Sequence, residues 1–201
     1  MESILYFDPQ SIIKTLGYIG VFLIVFAESG ILIGMFFPGD SLLFTAGLLS
    51  SLGTLNILLL IPIVIVAAIL GDSTGYWIGK TFGSKIFNRD DSVLFSKKYV
   101  ERAQSFYERY GARAIILARF VPIVRTVVPS VAGVASMKYR AFLRFNIIGG
   151  VLWGVALPIL GFYLGKKIPN IDHYLLPITF GIIIVSFIPV GVEVWRARRE
   201  V

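Results

Sequence analysis

The 201-residue chain is 56% hydrophobic, with a mean hydropathy of +0.81 and a formal charge of +7. Soluble domains hold about 45–50% apolar residues, so the excess must face something other than water, and the length fits one membrane domain, 1–201. With no cysteine and a single histidine, His173, a disulfide, a thiolate metal site and a histidine zinc centre are excluded, and no cofactor is implied.

The basic residues flank long apolar runs, which argues for membrane orientation and against nucleic acid. No cleavable leader is expected, because the first basic residue, Lys14, is followed rather than preceded by the polar-to-apolar change. The first apolar run, Thr15 to Phe37, holds one charge, Glu28, and is long enough to cross a bilayer by itself. It breaks at Pro38-Gly39-Asp40, and a shorter leg follows from Ser41 to Leu52. Ile57 to Gly79, with only Asp72 inside, is expected to span, since about 20 residues at about 1.5 Å each cross a hydrocarbon core of about 30 Å. The polar segment Lys80–Arg113 has Tyr99, Ala103, Phe106, Tyr107 and Tyr110 on one helical face and Lys98, Glu101, Arg102, Ser105 and Glu108 on the other. It reads either as a helix in the interface plane or as one packed on the protein. Ala114 to Ser136 carries Arg119, Arg125, Pro122 and Pro129. Phe145 to Gly165 is uncharged, and Tyr174 to Trp195 forms a last span with Glu193 near its end. Trp77, Trp153 and Trp195 read as packing or interfacial anchors, and His173 as a surface loop residue.

An internal repeat organises these runs. Ala46-Gly47 recurs as Ala132-Gly133, and Gly75-Tyr76-Trp77-Ile78-Gly79-Lys80 as Gly161-Phe162-Tyr163-Leu164-Gly165-Lys166, both 86 residues on. Upstream, with a gap, Gly20 precedes Glu28 as Gly111 precedes Arg119. The expected fold is an all-α integral membrane protein with two inverted repeats, each a re-entrant helical hairpin plus a transmembrane helix. Repeat one covers about 15–80 and repeat two about 114–167, with a cytoplasmic amphipathic segment at 81–113 and a C-terminal transmembrane helix at 172–196. That topology puts fourteen of the nineteen Lys and Arg residues on one side, with the C-terminus, and three on the other, so the first side is cytoplasmic.

Charges inside apolar stretches are costly, at about 2.5–3.5 kcal/mol for Arg, Lys or Asp at a helix centre, and mark function by default. Glu28, Asp40, Arg119 and Arg125 all sit in or beside the segments that Pro38, Gly39, Pro122 and Pro129 are expected to break. Broken helices in paired repeats point to a central transport site. Two guanidiniums suit an anion, phosphate best, through bidentate hydrogen bonds. Two carboxylates would repel it unless protonated or paired, which would couple binding to protons. The alternative is that Glu28 and Asp40 staple the hairpins by pairing with the arginines. Asp72 either lines the same site or sits nearer the surface as a partner for backbone N–H groups, and Asn146 is expected to hydrogen-bond between helices.

Glu28-Ser-Gly, Phe37-Pro38-Gly39-Asp40, Ala46-Gly47, Gly71-Asp72 with Gly75-Tyr76 and Ile78-Gly79-Lys80, Arg119-Phe120-Val-Pro122 with Arg125, Pro129 and Ala132-Gly133, and Phe142 with Asn146 and Trp153 occur in this order. This ordered set, over roughly Gly17 to Lys166, resembles the bacterial DedA family, part of a larger group with VTT-domain lipid scramblases of eukaryotes. The resemblance implies two inverted re-entrant hairpins and lipid translocation in the bacterial cytoplasmic membrane, of undecaprenyl phosphate or a phospholipid, linked in some members to the proton motive force. It also implies that Glu28 and Asp40 are the functional acidic pair and Arg119 and Arg125 the functional arginine pair.

The leading expectation is therefore a translocator of a phosphate-bearing lipid, with protons as a second partner. The alternatives are a proton-coupled antiporter of small ions or solutes and a non-transporting scaffold. An enzyme is not expected, since no nucleophile–base–orienter set is present. Whether the protein forms a homo-oligomer stays open.

Overall fold

The computed structural model describes residues 9–31, 39–86, 109, 111–121, 124–168 and 181. The expectations for Pro38, Pro122, the amphipathic faces within 87–108 and Tyr110, His173, and the last helix at 172–196 apart from Gly181 lie outside these residues. Within them the chain is all-helical: α1 (Pro9–Gly30), α2 (Gly39–Ser51), α3 (Ile57–Ile86), a single 3-10 turn at Gly111–Arg113, α4 (Ala114–Ala118), α5 (Val124–Val134) and α6 (Tyr139–Lys167).

Among the described residues, two helices have the length and composition to cross a bilayer: Ile57–Phe82 within α3, and α6 with 29 residues. At about 1.5 Å per residue each exceeds a core of about 30 Å. Both turn large apolar side chains outward, among them Leu58, Leu59 and Leu70 on α3 and Leu152, Leu160 and Tyr163 on α6. Such surface is disfavoured in water and suits lipid. α3 begins at Asn56, whose Oδ1 accepts from the Leu58 N–H at 2.9 Å, a side-chain cap of the first turn.

The segments expected to be broken hold short helices, and of the expected break residues Pro129 alone is seen inside a helix among the described residues. α1 bends at Gly17, which has φ 55°, and ends at Gly30, with Ile31 non-helical. The straight part, Gly17–Gly30, reaches only about 20 Å. Gly17–Gly30 by itself falls short of a hydrocarbon core of about 30 Å. Gly30 meets Gly71 closely, where an added Cβ would lie 2.8 Å from the Gly71 carbonyl oxygen. Glycine also costs a helix about 1 kcal/mol against alanine. In the third apolar run the chain turns between Ala118 and Val124, and Pro129 lies inside α5. Pro129 is thus not a break. A mid-helix proline forfeits one N–H bond, here to the Arg125 carbonyl, and membrane helices tolerate that loss. Pro62 in α3 and Pro158 in α6 are accommodated likewise. Gly39 opens α2, so that break precedes it.

The chain folds as two compact units. One is drawn from Met1–Ile24, Pro38–Val64 and Gly154–Val201. In it the Asn56 N–H donates to Tyr18 Oη at 2.7 Å, and α2 lies on the end of α6 with Gly47 against the Pro158 carbonyl and Gly161 against that of Phe44. The other is drawn from Val25–Phe37 and Ile65–Trp153. Its core gathers Tyr76, Ile115, Val127, Val128, Val131 and Phe142, with Gly79 against Ser130 and Gly133 against the Tyr76 carbonyl. Tyr76 Oη donates to the Met137 carbonyl, and its ring lies 4.8 Å from that of Phe142.

Candidate functional site

The second unit collects four of the charges that the apolar runs carry. Glu28 lies two residues before the end of α1, and Asp72 lies in the middle of α3. Arg119 closes α4, where its N–H bonds back to the Ile116 carbonyl at 3.3 Å, and Arg125 is the second residue of α5. The turn between two short helices is what projects both arginines from one stretch of chain. Glu28, Asp72 and Arg119 are buried, and Arg125 is half-buried.

They form two ion pairs. Arg119 donates through Nη2 to Asp72 Oδ2, and Arg125 through Nη2 to Glu28 Oε1. Charges in apolar surroundings persist only with partners: breaking a buried pair costs about 3–5 kcal/mol. Arg119 Nη2 also donates to Asn146 Oδ1 at 2.5 Å and lies 3.5 Å from the Ala68 carbonyl. Asn146, fully buried on α6, donates in turn to the Ile69 carbonyl of α3 at 3.1 Å, so it does bond between helices. Ser73 Oγ donates to the same carbonyl at 2.7 Å and accepts from Tyr139 Oη at 3.2 Å. Among the described residues, Glu28 Oε2 and Arg119 Nε have no hydrogen-bond partner.

A small recess, with room for about one water molecule, is lined by Ser29, Asp72, Arg119, Arg125 and Trp153. The Trp153 indole is buried, with its ring centre 5.2 Å from the Arg125 guanidinium carbon and 6.0 Å from that of Arg119. This is cation–π range. Gly149 makes room for the arginine: an added Cβ would lie 2.9 Å from Arg119 Cδ. Asp40, the fourth charge singled out in the sequence with Glu28, Arg119 and Arg125, lies in the first turn of α2 in the other unit, half-buried and engaged in an interaction.

A VTT-domain model matches residues 37–163 of the chain. The Escherichia coli K12 protein DedA is 44% identical over 184 residues, covering 90% of this chain and 84% of the relative. This chain belongs to the DedA family of VTT-domain membrane proteins. An uncharacterised membrane protein of Mycobacterium tuberculosis H37Rv is 45% identical to this DedA-family chain over 186 residues, 90% of it and 81% of the relative. The inner membrane protein YqjA of E. coli K12 is 34% identical over 149 residues, 74% of this chain and 68% of the relative. No solved structure matches.

Three contributors to this DedA-family site are not singled out by sequence reasoning: Ser29, Trp153 as a wall shared by both guanidiniums, and the Gly149-Gly150 step. Buried arginines in a membrane protein signal a search for a nearby aromatic face, but nothing in the spacing selects Trp153 over Trp77. Asp72 resolves toward the site: it is buried and bound to Arg119.

Proposed function

We propose that this protein translocates a phosphate-bearing lipid, undecaprenyl phosphate or a phospholipid, across the bacterial cytoplasmic membrane, and that it is not an enzyme. The observation that carries the reading is the pair of arginines gathered in one recess against Trp153, each held by a carboxylate, within helices whose outer faces are apolar. Guanidiniums grip phosphate oxygens two at a time. The closed recess has room for about one water molecule, and parting an arginine from its carboxylate would make space for more. A headgroup would enter and the acyl or prenyl chains would stay outside in lipid.

The ion pairs supply a coupling step. An arriving phosphate competes with Glu28 for Arg125. Glu28, left in apolar surroundings without its partner, then takes a proton, and its second oxygen already lacks a hydrogen-bond partner among the described residues. Asp40 is the second acid assigned to this step. The two hairpins are read as inverted repeats, with the C-terminus and the 81–113 segment cytoplasmic. The same pairs would also serve a scaffold that transports nothing, so the test is functional. Purified protein in proteoliposomes should move labelled prenyl monophosphate or phospholipid, and Arg119→Ala with Arg125→Ala should abolish the flux. Ion flux without lipid movement would instead favour a small-solute antiporter, and no flux of either kind a scaffold.

A further inference from the structure

The two arginines are paired in different ways. Arg125 is half-buried, and its guanidinium pairs with Glu28 and lies over the Trp153 ring. Arg119 is buried, and one nitrogen, Nη2, serves Asp72, Asn146 and the Ala68 carbonyl together. Both of its side-chain acceptors are themselves fixed. Asn146 is tied to the Ile69 carbonyl and lies 3.5 Å from Ser73 Oγ. Asp72 stands one residue before Ser73 on α3, and Ser73 is bound by Tyr139 from α6. The guanidinium is therefore clamped through Nη2, while its Nε, buried beside Gly149, has no partner among the described residues. Gly149 and Gly150 provide the space in which the side chain lies.

We propose that Asp72 is the resident counter-ion of Arg119, a positioning residue that keeps this arginine a neutralised, fixed anchor, so that the phosphate is held weakly enough to be released and Arg125 is the arm that exchanges. The inference rests on the phosphate reading of the recess and adds a role for an acid distinct from Glu28 and Asp40. Two uncompensated guanidiniums in low dielectric would hold a phosphate too tightly to turn over. A transporter must bind its cargo and also let it go. A carboxylate that remains on Arg119 throughout the cycle subtracts one charge from the site. Asn146, sharing the same nitrogen, supplies the geometry without charge.

That sharing provides a test by moving the charge. Asp72→Asn keeps an oxygen acceptor for Nη2 and removes the charge. Asn146→Asp adds a second carboxylate on the same nitrogen. The double variant Asp72→Asn/Asn146→Asp returns the count to one. Binding is measured by calorimetry on the full chain in dodecyl maltoside, which carries no phosphate, with inorganic phosphate in one arm and a short-chain prenyl monophosphate in the other. Lipid flux is measured in proteoliposomes. Asp72→Asn should bind about tenfold tighter and transport more slowly, and Asn146→Asp should bind about tenfold more weakly. The double variant should return to within about threefold of wild type in both readouts. A purely structural role for Asp72 would lower the yield of folded protein without tightening binding. Response in both arms, or in one, supports the assignment and identifies the source as headgroup, free phosphate or either. Unchanged affinity in folded Asp72→Asn, or a folded double variant that is not restored, would overturn it while leaving the phosphate reading intact. If Asp72→Asn does not fold, Asn146→Asp still decides, and affinity equal to wild type there overturns the proposal. Wild-type protein that binds neither probe and moves no lipid would overturn the phosphate reading and this inference with it.

Discussion

Arg125 meets Glu28 through one guanidinium nitrogen and lies over the Trp153 ring, which leaves its planar fork to grip two phosphate oxygens in the proposed transport step. Arg125→Lys keeps the charge and loses the fork. Its lipid flux should fall at least about tenfold, while its expression and detergent-extracted yield stay near wild type. Normal flux would leave a simple charge role or a staple. Glu28 makes the opposite demand. Glu28→Gln mimics the protonated acid, so phosphate-lipid exchange at equal pH should continue while flux loses its response to an imposed pH gradient. The same comparison applies to Asp40→Asn and to the double variant. If all three retain the full gradient response, these acids are not the coupling groups and the protein equilibrates lipid passively. Much of this chemistry is legible from the sequence, because a charge inside an apolar run has few excuses. Glu28, Arg119 and Arg125 announce themselves that way. The partner choice is not legible. Whether Arg119 meets Asp72 or another acid depends on how α3, α4 and α6 are rotated against one another, which no spacing encodes.

Helix contacts in this protein run through glycine, and they show why some element boundaries escape a sequence reading. α3 and α6 are evident as long uncharged or nearly uncharged runs, since hydropathy and length suffice. The ends of the shorter helices are set by packing instead. α1 stops where Gly30 meets Gly71, and α5 continues through Pro129 because its core face, with Val127, Val128 and Val131, is buried. A proline seen alone suggests a break; a proline on a well-packed face need not make one. The same packing yields a graded prediction for three glycines of one unit. An added Cβ at Gly133 would strike the Tyr76 carbonyl and lie 2.7 Å from the Lys80 nitrogen, and one at Gly79 would strike the Ser130 backbone. At Gly75 it would find Pro129 Cβ at an ordinary 3.5 Å. Gly133→Ala and Gly79→Ala should each destabilise by about 1–3 kcal/mol, as overpacked cores do. Gly75→Ala should be close to neutral in thermal unfolding measured in the same detergent. Equal melting temperatures for all three would mean that these helices are not in close backbone contact.

Those three glycines, with three of the other unit, connect the elements to the topology of the whole molecule. In one unit Gly47, Gly161 and Gly165 bring α2 onto α6, and in the other Gly133, Gly75 and Gly79 bring α5 onto α3. Each glycine of the first set lies 86 residues from one of the second, so the two halves of the sequence supply like contacts in exchanged order. That is the pattern expected if the halves are related as repeats, and an odd number of crossings in each half would invert them. Charge gives the direction. In the proposed topology, with fourteen basic residues assigned to the side of the 81–113 segment and three to the side of the 166–172 loop, the positive-inside bias would make the former cytoplasmic. An even number of crossings per half would distribute these residues differently and erase most of the bias. The chain has no native cysteine, so single cysteines can be introduced without altering the background. A cysteine replacing Ser92 should be labelled by a membrane-impermeant maleimide only after the cytoplasmic face is opened, in inverted vesicles or permeabilised cells. One replacing Asn170 should be labelled in intact spheroplasts. Both variants must retain wild-type lipid flux for the result to report on the native arrangement. Labelling of the two positions from the same face would rule out the inverted arrangement. It would also remove the basis for a site reached alternately from the two sides, even with both arginines still in their recess.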